Sequence, residues 1–137
     1  MENYLVVIGI VQNKLGEVLI IKRKKVEKSN HGTYLIWAFP GGKQRKNESR
    51  EETVEKEILE ETGYSVKAVE QIDLWIHPEF KKVICYFRCE LLEEKQIQSP
   101  KEEEEVEEIK WVKPEELKNY FTTKINPKVA KLLKISG

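Results

Sequence analysis

The sequence predicts an α/β fold in which a mixed β-sheet is sandwiched between α-helices. Short apolar runs rich in β-branched residues come before and after one strongly acidic helix, and a second helix closes the chain. No internal repeat or low-complexity linker divides the 137 residues. We therefore expect a single domain over residues 1–137.

The predicted strands are apolar runs bounded by turn residues or by charged segments. They lie at Tyr4–Val11, Glu17–Arg23, Leu35–Phe39, Ser65–Ile76, Lys82–Leu92 and Glu107–Val112. We expect a sharp turn at Gly41-Gly42, because glycine adopts positive φ without steric cost. Pro114 is predicted to open one helix, and Asn126 to cap a last helix at Lys128–Lys134.

The central helix has clear predicted ends. Ser49 followed by Glu52 has the spacing of a capping box, with Asn47 as an alternative cap, and Gly63 suits the position after the last turn. These signals predict a helix at Arg50–Thr62.

The acidic side chains of this helix are crowded. At about 100° per residue, Glu57, Glu60 and Glu61 share one sector, and like charges three or four residues apart repel each other. Within the helix only Lys56 lies near them, and the last turn disfavours anions. A bound divalent cation would reverse these unfavourable terms, whereas the simpler interpretation is a solvated acidic face.

Composition argues against several functional classes. Lys+Arg and Asp+Glu both total 24, so the chain lacks the positive balance typical of proteins that bind nucleic-acid polymers. The apolar run Leu5–Val11 is too short to span a bilayer, and no basic segment precedes it. Cys85 and Cys89 are interpreted as small core residues, which fits a reducing compartment. We expect a cytoplasmic protein without a membrane partner, and its oligomeric state stays open.

The stretch from Gly42 to Tyr64 resembles the Nudix box, a motif that fixes many positions over more than twenty residues. The matching residues are Gly42, Glu48, Lys56, Glu57, Ile58, Glu60, Glu61, Gly63 and Tyr64. The departure is Lys56, because the family has arginine at this position. The resemblance implies the Nudix fold and metal roles for Glu57, Glu60 and Glu61. It also implies a structural ion pair between Glu48 and Lys56, looser than one made by arginine, because lysine lacks the planar fork.

Three further features of the sequence resemble those of the mutator-type branch of the family. The segment Phe39–Lys43 (FPGGK) matches its lead-in to the box, Arg23 matches a phosphate-contacting arginine, and Asn126 lies where an asparagine binds the guanine base. Beside the acidic helix, the backbone N–H groups of Gly41 and Gly42 can meet phosphate oxygens, and Lys43 can add a cation. As alternatives, Arg23 belongs to a solvated basic loop at Lys22–Lys28, and Asn126 is a helix cap alone.

The resemblance implies metal-dependent hydrolysis of a nucleoside diphosphate linked to another group, with Mg²⁺ or Mn²⁺ as cofactor. The general base is predicted to be Glu60 or Glu105. Glu105 stands in an acidic run ahead of Trp111, and Glu102, Glu103 and Glu104 are alternatives to it.

The first choice of substrate is a (d)NTP, including an oxidised guanine nucleotide, cleaved to the monophosphate and pyrophosphate. A nucleotide sugar or a dinucleotide polyphosphate is the alternative. Other classes are a non-hydrolytic nucleotide- or metal-binding regulator on the same fold and an acidic helix that serves a protein interface.

Overall fold

A computed structural model describes residues 4–101 and 105–136 of the chain. Its elements follow in the order β1 Leu5–Gln12, β2 Val18–Lys28, β3 Tyr34–Ala38, β4 Gly41–Lys43, α1 Arg50–Thr62, β5 Val66–Ile76, β6 Val83–Leu91, β7 Val106–Val112, a 3₁₀ helix at Pro114–Asn119, and α2 Pro127–Leu133. The candidate residues Glu102, Glu103 and Glu104 lie outside the described residues.

The strands form one mixed sheet in the order β3-β2-β1-β6-β5. The central pair β1 and β6 is parallel, whereas β5 pairs antiparallel with β6, and β2 pairs antiparallel with β3. Strands β4 and β7 lie off this path, on β1 and β2 respectively. The predicted mixed sheet is therefore confirmed.

Helices cover both faces of the sheet. Val54 and Ile58 of α1 are fully buried against one face, with Val7 and Val11 of β1. On the other face, Val129 and Leu133 of α2, and Leu117 of the 3₁₀ helix, pack on Ile10 and Tyr86. Because β1 supplies both cores, its continuous apolar sequence is explained. The free thiols Cys85 and Cys89 lie buried in the α1-side core, as predicted.

Helix α1 begins and ends as predicted. The Ser49 hydroxyl accepts from the Glu52 N–H at 3.0 Å, and the Glu52 carboxylate accepts from the Ser49 N–H at 3.0 Å. Gly63 has φ 79°, and its N–H donates to the Leu59 carbonyl. A Cβ at Gly63 would stand 2.2 Å from the Gln98 carbonyl, so glycine also lets the following loop pack against the helix end.

Two expectations about the strands were wrong. Strand β2 continues through the basic run to Lys28, because Glu27 and Lys28 pair with Leu35 and Tyr34 of β3. A loop was therefore the wrong interpretation of that run. The segment after Pro40 is also not a sharp turn: Gly41–Lys43 is a short strand on β1.

Candidate active site

A cavity of about 490 Å³ lies beside the sheet and the first residues of the segment that leads into α1. Its lining includes aromatic side chains, cations and carboxylates. The aromatic ones include Trp37, Phe39, Phe80, Tyr86 and Phe121; the cations include Arg23, Lys25, Lys43 and Lys82; the carboxylates are Glu57, Glu61 and Glu105. A mostly apolar concave site with a few convergent charged groups is typical of small-molecule binding.

Glycine in β4 allows Glu57 to approach the backbone. A Cβ at Gly42 would stand 2.7 Å from the carboxyl carbon of Glu57 and 2.9 Å from its Oε1. Any larger residue would push this carboxylate away. The first glycine of the box therefore acts by leaving space for a glutamate about two turns along α1.

Glu61 is held by the same strand. Its side chain is buried, and its Oε1 accepts a hydrogen bond of 2.9 Å from the Gly41 N–H. This bond fixes the carboxylate at the cavity wall. It also engages the N–H that was expected to meet a phosphate, so a phosphate contact there requires Glu61 to release it.

Arg45 contacts two of the crowded acids and was missed in the sequence analysis. Its Nη2 lies 3.0 Å from Glu57 Oε1 and 2.6 Å from Glu60 Oε2. Glu60 and Glu57 raise the pKa of Arg45, so the guanidinium stays charged. The sequence analysis considered cations within the helix only, and helical spacing cannot reveal a cation in the preceding loop. The sequence offered one sign of this contact: Arg45 stands in the short segment between Gly42 and Ser49, the N-cap of α1.

The ion pair between Glu48 and Lys56 is present and short. Lys56 Nζ lies 2.6 Å from Glu48 Oε2, while the Thr53 hydroxyl donates to Glu48 Oε1 at 2.9 Å. The lysine lowers the pKa of Glu48, and the hydroxyl adds to that effect. Thr53 also accepts from the Arg45 N–H at 3.2 Å. Lysine and threonine thus each contact one oxygen of Glu48, where an arginine fork would contact both.

The loop after β6 is anchored to the C-terminal end of α1. The Gln96 side-chain amide donates to the Thr62 carbonyl at 2.8 Å, the Ile97 N–H to the Gly63 carbonyl at 2.9 Å, and the Lys101 N–H to the Glu60 carbonyl at 2.7 Å. These bonds satisfy carbonyls that the helix end would leave without partners.

Glu105 follows this loop and lines the cavity with Glu57 and Glu61. Its carbonyl accepts from the Lys24 N–H at 3.0 Å. Glu60, the other candidate base, is not among the cavity-lining residues and contacts Arg45 instead.

Arg23 and Lys43 line the cavity from different strands. The register between β2 and β7 shifts between Lys22 and Arg23, and such a bulge changes the direction of a side chain. Arg23 Nε donates to the Lys25 carbonyl at 3.2 Å, which orients the guanidinium. Lys43 Nζ lies 4.2 Å from the centre of the Tyr4 ring.

Asn126 lines the cavity but already has structural partners. Its Oδ1 accepts from the N–H groups of Lys128 and Val129 and so caps α2, while its Nδ2 donates to Asp73 at 3.0 Å. That donation lowers the pKa of Asp73. The cap interpretation is confirmed by these bonds, and contact with a base stays a prediction.

His77 and Glu79 stand in the connection between β5 and β6, and His77 lines the cavity. His77 Nδ1 accepts from the Glu79 N–H at 3.0 Å, and burial lowers the pKa of His77, which keeps the ring neutral at pH 7. The Glu79 carboxylate accepts from the Lys124 N–H and from the Thr33 hydroxyl. Three loops are thereby joined, through contacts between residues about 45 positions apart that local sequence does not reveal.

The donors fit a hard divalent cation in their chemistry. Glu57, Glu60 and Glu61 offer carboxylate oxygens, and one guanidinium nitrogen already lies within 3.0 Å of two of them as a cation. As they stand, no three His, Cys, Asp or Glu side chains in residues 4–101 and 105–136 are grouped closely enough to hold a metal ion.

Comparison with known proteins agrees with this arrangement. The family model for the NUDIX domain matches residues 3–133. The chain belongs to the Nudix family. An 8-oxo-dGTP diphosphatase of Buchnera aphidicola subsp. Acyrthosiphon pisum (strain APS) is 39% identical over 72 residues, covering 50% of this chain and 56% of that protein. A Bacillus subtilis (strain 168) protein provisionally named for the same activity is 38% identical over 72 residues, covering 53% and 43%. The match thus spans about half the length of these curated relatives.

Solved structures show the same Nudix fold. The MutT protein from Methanosarcina mazei Go1 has a TM-score of 0.66 at 22% identity, covering 98% of this chain and 94% of that one. A NUDIX hydrolase from Nitrosomonas europaea has a TM-score of 0.70 at 15% identity, covering 97% and 87%. The family match shows membership of the Nudix family, and the likeness to these structures shows its fold. In the described ranges, no helix is long and apolar enough to cross a bilayer.

Proposed function

We propose that this protein hydrolyses nucleoside triphosphates to the monophosphate and pyrophosphate in a metal-dependent reaction, with an oxidised guanine nucleotide such as 8-oxo-dGTP as the first substrate to test. The observation that carries the proposal is the shared cavity, in which aromatic side chains, Arg23 and Lys43 face the same space as Glu57 and Glu61. Aromatic side chains suit a base, and cations suit phosphates. The names of the two curated relatives support the choice of guanine nucleotide.

Different residues of the site would bind the metal, the phosphates and the base. Glu57, Glu60 and Glu61 would hold Mg²⁺ or Mn²⁺, which supplies neutralisation of the charge that develops on the phosphates. Arg23 and Lys43 bind the phosphate oxygens and orient the triphosphate for in-line attack. Trp37 lies edge-to-face on Tyr120, at 5.1 Å between ring centres, and this packing steadies the wall against which a base would rest.

Glu105 is our choice of general base. It lines the cavity beside Arg23, whereas Glu60 contacts Arg45 away from the cavity-lining set. Glu105 accepts a proton from the attacking water, the water oxygen bonds to phosphorus, and the bond from that phosphorus to the pyrophosphate oxygen breaks. We expect Glu105→Gln to lower kcat by about 10²–10⁴-fold. An active Glu105→Gln would exclude Glu105 as the base.

A substrate panel tests the function. The protein is incubated with 8-oxo-dGTP, dGTP, dATP, ADP-ribose, a UDP-sugar and a diadenosine polyphosphate, with Mg²⁺ or with EDTA, and products are separated by chromatography. Glu61→Gln is the active-site variant. Glu51→Gln, an exposed glutamate of the same helix, is the matched control.

We expect 8-oxo-dGTP to give the monophosphate and pyrophosphate only with Mg²⁺, and Glu61→Gln to be inactive while Glu51→Gln is active. Turnover that survives EDTA, or that Glu61→Gln leaves unchanged, would refute the metal mechanism. Faster hydrolysis of ADP-ribose or of the UDP-sugar would refute the triphosphate assignment. Binding without turnover would indicate a nucleotide-binding regulator instead.

A further inference from the structure

Arg45 contacts the carboxylates that the proposed function assigns to the metal. Its Nη2 bridges Glu57 and Glu60, and the three side chains are between 15% and 34% exposed. The bridge joins the loop before α1 to the middle and end of the helix. One protein cation thereby contacts two of the three acids.

This bridge conflicts with a metal ion bound to the same two oxygens, Glu57 Oε1 and Glu60 Oε2. Carboxylate oxygens bind Mg²⁺ at about 2.0–2.1 Å. A guanidinium nitrogen that stays within 3.0 Å of the same oxygens would face the divalent cation at close range in a partly buried place. Like charges at such distances repel strongly, since water screens them poorly there. Arg45 must therefore leave at least one of these two oxygens before the ion can bind both.

We propose that Arg45 is a resident counter-cation that exchanges with the divalent metal and thereby sets the metal affinity of this site. The inference rests on the proposed function, because that function supplies the metal. Exchange is mechanically simple: the Arg45 backbone stays fixed through its N–H bond to Thr53, while its half-exposed side chain moves. The neighbouring acid Glu48 is engaged by Lys56 and Thr53, so the bridge to Glu57 and Glu60 does not compete with it.

The test measures Mn²⁺ affinity of the full chain by electron paramagnetic resonance. Arg45→Met removes the competing cation, and Lys46→Met removes the same charge from an exposed neighbour in the same loop. We expect Arg45→Met to bind Mn²⁺ about tenfold more tightly than the unmodified protein, because the lost contacts are charge-assisted hydrogen bonds and tenfold corresponds to one such contact. Lys46→Met should change the affinity by no more than about threefold.

A second readout is thermal. Without metal, Arg45→Met should melt at a lower temperature than the unmodified protein, and Mn²⁺ should raise its melting temperature by a larger increment. Should Arg45→Met not fold, Arg45→Lys replaces it, and we expect a smaller tightening because its ammonium lacks the guanidinium geometry. Unchanged or weaker Mn²⁺ binding in the folded variant would overturn the exchange and make Arg45 a scaffold for the metal ligands.

The failure of the exchange is distinguishable from failure of the proposed function. Metal-dependent hydrolysis combined with unaltered Mn²⁺ affinity in Arg45→Met overturns the exchange alone. Tighter Mn²⁺ binding in Arg45→Met without hydrolysis of any nucleotide in the panel supports the exchange and overturns the function. Mn²⁺ binding in neither protein at millimolar concentration overturns both.

Discussion

Replacing Thr53 with valine should weaken the loop that leads into α1. Thr53 is fully buried, and valine has nearly the same shape but no hydroxyl. The hydroxyl donates to Glu48 at 2.9 Å and accepts from the Arg45 N–H at 3.2 Å. Thr53→Val therefore removes the link between the Glu48 carboxylate and the loop backbone, and it leaves the Arg45 N–H without that partner.

The expected cost follows from these two contacts. Each hydrogen bond of a buried group contributes about 1 kcal/mol net, so the loss of both from Thr53 should lower the free energy of unfolding by about 2 kcal/mol. For a chain of this length, about 4 °C of melting temperature corresponds to 1 kcal/mol, which predicts a decrease of about 8 °C. Little of this change should come from packing, because the volume is conserved.

Urea and thermal unfolding of four proteins measure the effect: the unmodified chain, Thr53→Val, Lys56→Arg and the double variant. An arginine at position 56 can give Glu48 both contacts at once, so Thr53→Val should cost about half as much in the Lys56→Arg background. Thr62→Val, another buried hydroxyl on α1, is the matched control and should not be rescued. The explanation fails if Lys56→Arg leaves the cost of Thr53→Val unchanged, or reduces that of Thr62→Val equally.

Three further changes test other contacts. Gly42→Ala should lower kcat/KM by about 100-fold in steady-state assays, because its Cβ would displace the Glu57 carboxylate; an unchanged value would remove the role given to this glycine. Asn126→Ala should lower the free energy of unfolding by about 1 kcal/mol in urea, and Asn126→Ser, which keeps a capping oxygen, by less. The lowered pKa of Glu48 stabilises the fold fully above its unfolded pKa of about 4.3, and this contribution is lost as pH falls through the lower folded pKa. The urea midpoint should therefore decrease more steeply below pH 4.3 in the unmodified protein than in Glu48→Gln.

The sequence predicted α1 almost to the residue because its boundary signals are local. Ser49 and Glu52 bond to each other's backbone, and Gly63 adopts the left-handed conformation that ends the helix. Val54 and Ile58 then bury the face that periodicity assigned to the core. Where structure is decided within a few residues, the pattern suffices.

Strand β2 shows where local pattern fails. Its second half is basic and polar, which is typical of a loop, yet it pairs with β3 through Glu27 and Lys28. Pairing of backbone groups does not require apolar side chains on an edge of the sheet, and the partner strand is chosen by tertiary contacts. The same argument explains Gly41–Lys43, where the predicted turn residues Gly41 and Gly42 themselves pair with β1.

The contacts of Arg45 change what the crowded acids of α1 imply about a metal. Crowded acids on one helix predicted a cation, and the structure supplies one from the protein, so crowding alone does not require a metal. The stronger support comes from Gly42, whose missing side chain makes room for Glu57 beside β4, and from the Gly41 N–H that orients Glu61 toward the same cavity. A helix that needed only charge balance would not require glycine at position 42. The space for Glu57 and the backbone bond to Glu61 therefore support the proposed metal site, and Arg45 is the cation that we propose to exchange with the metal.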